Sequence, residues 1–207
     1  MIRLPDVAYS CGVPRRALRP SADRILAAAE TLFATSNYGD ISLRQLIAAS
    51  GVSTTAFYSR FESKHAVLDT LTERLFTELH QEAAKALPLA RNLDDGIERG
   101  IAILCAQFAP RKSIIRLVIA ETGSVQPALA IRKRSYTMLV GFLAHYLRAL
   151  AGRGRIEISD PVVVAWALVG ALEMQLVRWA VWDELDLDQL RTALLAVARA
   201  ILPKEHS

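Results

Sequence analysis

The stretch Ser42–Lys64, SLRQLIAASGVSTTAFYSRFESK, constrains the fold of this chain more than any other. Ser42 is placed to cap a short amphipathic helix whose Leu43, Leu46 and Ile47 share one face. That helix must stop at Ala49-Ser50-Gly51, because glycine takes the left-handed conformation that closes a helix at little steric cost. Val52 then turns back toward the core, and Ser53 stands where the next N-cap belongs. A second short helix, Thr54 to Ser59, offers only Phe57 as a firmly apolar inward side chain. Two short helices joined by a glycine-containing turn form a helix-turn-helix. Small hydroxyls, a tyrosine and an arginine face outward from the second helix, a set suited to the donors and acceptors of a DNA major groove.

The flanks extend this unit in both directions. Ser21 to Thr35 reads as a first helix, capped by Ser21, with Asp23 at its positive end and Ile25, Ala28, Ala29, Leu32 and Phe33 along one face. Asn37 to Asp40 is a turn. Ser63 opens a long helix reaching about Leu87, striped by Ala66, Val67, Leu71, Leu75 and Leu79 and limited by Pro88. It begins in one unit and ends in the next, so it is the mechanical link between them. Further helices are predicted at Leu93–Ala109, Lys112–Thr122, Pro127–Ala151 and Pro161–Trp182, with a last one opened by either Asp186 or Asp188 and ending at Leu202. No alternating strand pattern of useful length occurs, and no internal repeat. The expected class is all-α with about nine helices.

Composition limits the setting. Of the 207 residues, 52% are apolar and 22% charged, enough for a full core and a further buried surface. Residues 1–155 hold 21 Lys+Arg against 13 Asp+Glu, and residues 156–207 hold 4 against 8, so the basic end is the one that suits a polyanion. Residues 1–20, with Arg3, Arg15, Arg16 and Arg19 among three prolines, are expected to form a flexible basic arm, able to follow a phosphate backbone or enter a minor groove. The segment 21–65 itself is formally neutral, so the DNA-binding reading rests on pattern rather than on bulk charge. Two cysteines, Cys11 and Cys105, lack ligand-like neighbours; a reducing cytoplasm is the simplest setting and no zinc site is expected. The N-terminus has no signal-like apolar run, and Val162–Leu172 is shorter than the roughly 20 residues a bilayer needs, so no membrane is expected as a partner.

The order and spacing of ILAAAETLF (Ile25–Phe33), Ser42–Ile47, Gly51-Val52-Ser53, Phe57-Tyr58, Phe61 and Ser63-Lys64 resemble the TetR family of one-component repressors. The likeness covers about a fifth of the chain. It implies a three-helix DNA-binding domain, here 21–66, and a helical domain, here 67–207, that dimerises and takes a small effector. Ser42 is similar to the cap that also meets a phosphate, and Arg44 to the side chain that reaches a base edge. Ser53, Thr54 and Thr55 open the recognition helix, Tyr58 resembles the family tyrosine on a phosphate or sugar, and Lys64 the lysine on a phosphate. Ser59 and Arg60 sit where the family varies its contacts. Ala56 departs from the usual threonine or serine, which removes one backbone contact.

In the second half, Val162–Val164, Trp166, Leu168, Val169, Leu172, Leu176 and Val177 wrap most of one helix, which therefore needs burial on several sides. Packing it and the last helix against a second copy satisfies both, giving a homodimer. Polar residues on these apolar helices are the effector candidates, Glu121, His145, Glu173, Gln175 and Arg178, with Phe108, Phe142, Trp166 and Trp179 as walls. They favour an apolar or aromatic small molecule, whose entry shifts the long helix and respaces the two reading heads. An enzyme is not expected: His65, His80, His145 and His206 are scattered singly, and no nucleophile elbow, phosphate loop or cofactor motif occurs. The alternative is a helical small-molecule or lipid-binding module without DNA-reading activity.

Overall fold

The computed structural model describes residues 20–120 and 126–205, where the regular structure is helical apart from an isolated bridge between Ile156 and Glu205. Helix α1 spans Pro20–Thr35, α2 Leu43–Ser50, α3 Thr54–Tyr58 and α4 Lys64–Ala86. The first helix thus begins one residue before Ser21, which lies inside the first turn rather than capping it. The other caps are hydroxyl caps as the sequence predicts. Ser42 Oγ accepts from the Gln45 amide at 3.2 Å while Gln45 Oε1 accepts from the Ser42 amide at 2.7 Å, a complete capping box. Ser53 accepts from the Ala56 amide at 3.1 Å, and Ser63 from Ala66 at 3.2 Å.

The turn between α2 and α3 is closed from outside. Gly51 adopts φ 60°, and Arg24 of α1 donates to the Ser50 carbonyl through Nε at 3.1 Å and through Nη2 at 3.0 Å, and also to the Gly51 carbonyl. These are the orphan carbonyls at the end of α2, so the guanidinium acts as its C-cap. A Cβ at position 51 would stand 3.0 Å from Nη2. Gly51→Ala therefore meets both left-handed strain and a displaced Arg24, and is expected to cost about 1–2 kcal/mol in urea unfolding. An unchanged midpoint would show that the turn relaxes freely.

Helices α5 (Leu93–Phe108), α6 (Lys112–Ala120), α7 (Gln126–Ala151), α8 (Pro161–Leu176) and α9 (Leu187–Ile201) form the second half. Asp160 caps α8 through the Val162 and Val163 amides, with Pro161 at the first helical position. Asp186, not Asp188, opens α9, because Gln189 three residues on completes its capping box. The predicted single helix to Trp182 instead changes to a π-helical turn at Val177–Val181. Asp183 follows at φ 55°, held by Lys112 at 2.6 Å and Arg116 at 2.8 Å, while Arg116 Nε donates to the Ala180 carbonyl. These contacts tie the end of α8 to α6, and α6 packs on α1.

A continuous core runs from Ile25, Leu46 and Phe57 in the head through Val67, Leu71 and Leu75 of α4 to Leu104, Ile114, Leu172 and Leu194. Head and body are therefore packed as one unit, joined also by the Arg74–Asp23 ion pair at 2.9 Å. Counted with its π turn, Pro161–Val181 is 21 residues, long and apolar enough to cross a membrane, unlike the uninterrupted apolar run. Ala165, Leu168, Val169, Leu172 and Leu176 are buried against neighbours, Val163, Trp166 and Met174 are exposed, and Glu173 and Arg178 interrupt the apolar surface.

Candidate DNA-reading face and effector cavity

The head separates an apolar inside from a polar outside residue by residue. Phe57 and Leu46 are fully buried, while Arg44, Thr54, Thr55, Tyr58, Ser59 and Arg60 are exposed, Tyr58 at 55%. Tyr58 leans edge-on against Phe57, ring centroids 5.8 Å apart, so its hydroxyl is presented outward from a fixed base. Arg44 and Arg60 have no ion partner among the described residues, and Thr54 and Thr55 spend no side-chain hydrogen bond within the head. Ser59 does: its hydroxyl donates to the Ala56 carbonyl at 2.9 Å. Ser42 and Ser53 serve as caps. The outer surface is thus a band of uncommitted donors on a rigid base.

Lys64, which the resemblance places on a phosphate, is engaged inside the head in this structure. Its ammonium donates to the Tyr38 carbonyl at 2.5 Å and the Ile41 carbonyl at 2.8 Å, and lies 4.3 Å from the Tyr38 ring centroid. It fastens the α1–α2 turn to the first turn of α4. Arg24 is likewise spent on backbone carbonyls, those of Ser50 and Gly51; its spacing from Ser50 carries no local signal. The arm 1–20 lies outside the described residues except for Pro20, and so does Glu121.

In the body, α4, α5, α7, α8 and α9 surround a cavity of about 110 Å³. Its walls are aliphatic and aromatic, including Phe76, Leu104, Phe142, Leu172 and Leu202. Two polar side chains reach it: His80, whose ring meets Phe142 edge-on at 4.7 Å, and Tyr146. Gly96 on α5 is required by that tyrosine, since a Cβ there would stand 2.6 Å from its hydroxyl.

Of the residues expected to meet an effector, Phe142 lines this cavity. Phe108 reaches it only through Phe76, against which it stacks edge-on at 6.0 Å. His145 is on α7 but off the cavity-lining face. Trp166 points to solvent, 48% exposed. Glu173 turns toward α7, accepting from Arg132 and from the Tyr136 hydroxyl. Burial first, then its bond to Glu173, pushes the Tyr136 hydroxyl up to about 12, so it donates rather than ionises. Arg178 pairs with Glu184 at 3.0 Å and Gln175 at 3.1 Å. These polar groups solve local packing on α8 instead of facing the cavity. His80 and Tyr146 were missed. The 3/4 spacing of His80 with Phe76 and Ala83, and of Tyr146 with Phe142, marks both as inward-facing.

Burial lowers the pKa of His80 from its ordinary 6.5, and burial with the Lys64 charge lowers that of His65. Folding therefore favours the neutral imidazoles. Their contribution is complete above the unfolded value near 6.5 and is lost as pH falls below it. Melting temperature is expected to drop between pH 7.5 and 5.5, and His80→Leu to flatten part of that drop; an identical slope in the variant would remove His80 from the account.

Residues 25–71 match the family profile described as bacterial regulatory proteins, tetR family. The HTH-type transcriptional regulator EthR of Mycolicibacterium smegmatis is 33% identical over 157 residues, 74% of this chain and 57% of that protein. EthR of Mycobacterium tuberculosis is 32% identical over 108 residues, 49% and 50%. The chain spans little more than half the length of these curated relatives. Among solved structures, a protein of Syntrophomonas wolfei assigned to the TetR family superposes with TM-score 0.80 at 19% identity, covering 87% of this chain and 93% of that one. A complex of SmeT with triclosan gives 0.72 at 19%, covering 88% and 91%, and Thermus thermophilus FadR with lauroyl-CoA 0.65 at 20%, covering 89% and 97%. With its capped helix-turn-helix, its α4 link and its helical body, the chain belongs to the TetR family of helix-turn-helix transcriptional regulators.

Proposed function

We propose that this protein is a ligand-responsive transcriptional repressor that binds a palindromic operator as a homodimer in the cytoplasm and leaves it when a small, largely apolar effector fills the cavity. The observation that carries this reading is the band of uncommitted groups Arg44, Thr54, Thr55, Tyr58 and Arg60 on a head whose α4 runs unbroken from Lys64 to the cavity wall at Phe76 and His80. The bound molecules in the SmeT and FadR structures support an effector role for a cavity of this kind.

Dimerisation is assigned to the outer face of α8 together with α9. Val163, Trp166, Gly170 and Met174 recur on one face of α8, all exposed, with Val163 at 62%. Entry of ligand displaces α4. Lys64 grips the α1–α2 turn, so the whole head follows, and the two heads lose the spacing that half-sites one helical turn apart require.

The test is fluorescence anisotropy on DNA selected from a random pool, wild type beside Arg44→Ala and Tyr58→Ala. Each variant is expected to lose about 5- to 150-fold in affinity, as removal of a base or backbone contact worth roughly 1–3 kcal/mol implies. Binding that is weak, equal across sequences and unaffected by both substitutions would refute the reading in favour of a small-molecule-binding module.

A further inference from the structure

Resting on the effector cavity just proposed, we infer that its ligand is an uncharged molecule with an apolar body and one polar head that accepts a hydrogen bond from the Tyr146 hydroxyl, beside the His80 imidazole. The lining contains no Lys, Arg, Asp or Glu. A charged head entering this space leaves water without a counter-charge, at a cost of several kcal/mol. The nearest charged groups do not serve as one: Arg155 is bound to Glu205 and to the Arg91 carbonyl, and Asp95 to Arg99 and the Arg91 amide.

The two polar groups inside are both neutral at pH 7 and both uncommitted. Burial raises the Tyr146 pKa, so it stays a phenol, and burial lowers that of His80. Neither side chain has a hydrogen bond to another described residue, although Tyr146 is 5% exposed. The Tyr146 hydroxyl opens onto the cavity with its donor unspent, so an acceptor on the ligand gains a hydrogen bond there that a purely apolar ligand cannot make. Phe142 fixes the geometry: it is one turn before Tyr146 on α7 and packs on His80, which puts both groups on the same wall. Gly96 leaves the space in which the hydroxyl sits. The remaining wall is aliphatic and aromatic and takes the body of the ligand.

Calorimetry on the full-length protein at pH 7.5 with three probes of similar size tests this. Butylbenzene is apolar, butyrophenone adds one neutral acceptor, and 4-propylbenzoate carries a charge. Butyrophenone is expected to bind roughly tenfold tighter than either of the others. Tyr146→Phe, which removes one oxygen, is expected to bring butyrophenone down to the affinity of butylbenzene without altering the latter. Gly96→Ala, which displaces the hydroxyl from the opposite side, is expected to do the same. Tightest binding by 4-propylbenzoate, or butyrophenone affinity indifferent to both substitutions, overturns the polar-head assignment while leaving the cavity as an apolar site. Failure of all three probes to bind overturns the cavity itself, and operator binding by the free protein is measured separately from either result.

Discussion

Phe57→Ala is expected to destabilise the protein by about 3–5 kcal/mol, the cost of truncating a fully buried phenylalanine in a region that cannot collapse around the gap. Phe57 is 0% exposed and is the one large apolar side chain that α3 sends inward, against Phe61 at 6.0 Å. No neighbour on a five-residue helix can swing in to replace it. Against a total stability of ordinary size, roughly 5–15 kcal/mol, such a loss leaves the fold marginal. Urea unfolding measures it, and operator binding is expected to disappear with it. A loss below about 1.5 kcal/mol would mean that α3 is held by its Ser53 cap and its neighbours rather than by its core residue.

Trp166→Glu has the second largest expected effect, on assembly instead of folding. The residue is 48% exposed in the single chain, so the substitution removes little internal packing. Across the proposed two-fold interface it would act twice, replacing two aromatic anchors by two like charges. A single anchor of this type is commonly worth 2 kcal/mol or more, so dissociation is expected to be eased by about a thousandfold. Analytical ultracentrifugation should show a dimer becoming a monomer with unchanged helical circular dichroism. Operator affinity should fall in parallel, since a monomer reads one half-site. A variant that still sediments as a dimer would move the interface away from the Val163–Met174 face.

The head was legible because its signals are local. Ser42, Ser53, Ser63 and Gly51 announce helix ends within a few residues of where they act, and Phe57 is the sole candidate for an inward contact on its helix. The start of α1 differs by one residue, because Ser21 and Pro20 both suit a first turn. Asp186 and Asp188 are equally good openings by residue type, and only Asp186 has Gln189 three residues on to complete a box. The body resisted for a physical reason. Helix α8 is apolar on nearly every side, so periodicity does not say which side faces the cavity; Trp166 turns to solvent and Glu173 to Arg132 and Tyr136 of α7. Long-range partners are the other blind spot. Arg24 with Ser50, Lys64 with Tyr38 and Glu173 with Arg132 each join residues 26 or more positions apart, and no spacing rule connects them.

The grip of Lys64 on the Tyr38 and Ile41 carbonyls has a consequence for the thermodynamics of DNA binding. An ammonium already seated on backbone oxygens displaces few condensed counterions from a duplex. Arg44 and Arg60 are then the head's main contributors, four cations in a dimer. The logarithm of the operator association constant should fall with the logarithm of salt concentration with a slope near −4. A slope of about −7 or steeper would count the arginines of residues 1–20 into the complex. Affinity of this protein for its operator would in that case be set by the arm, and its selectivity by the head.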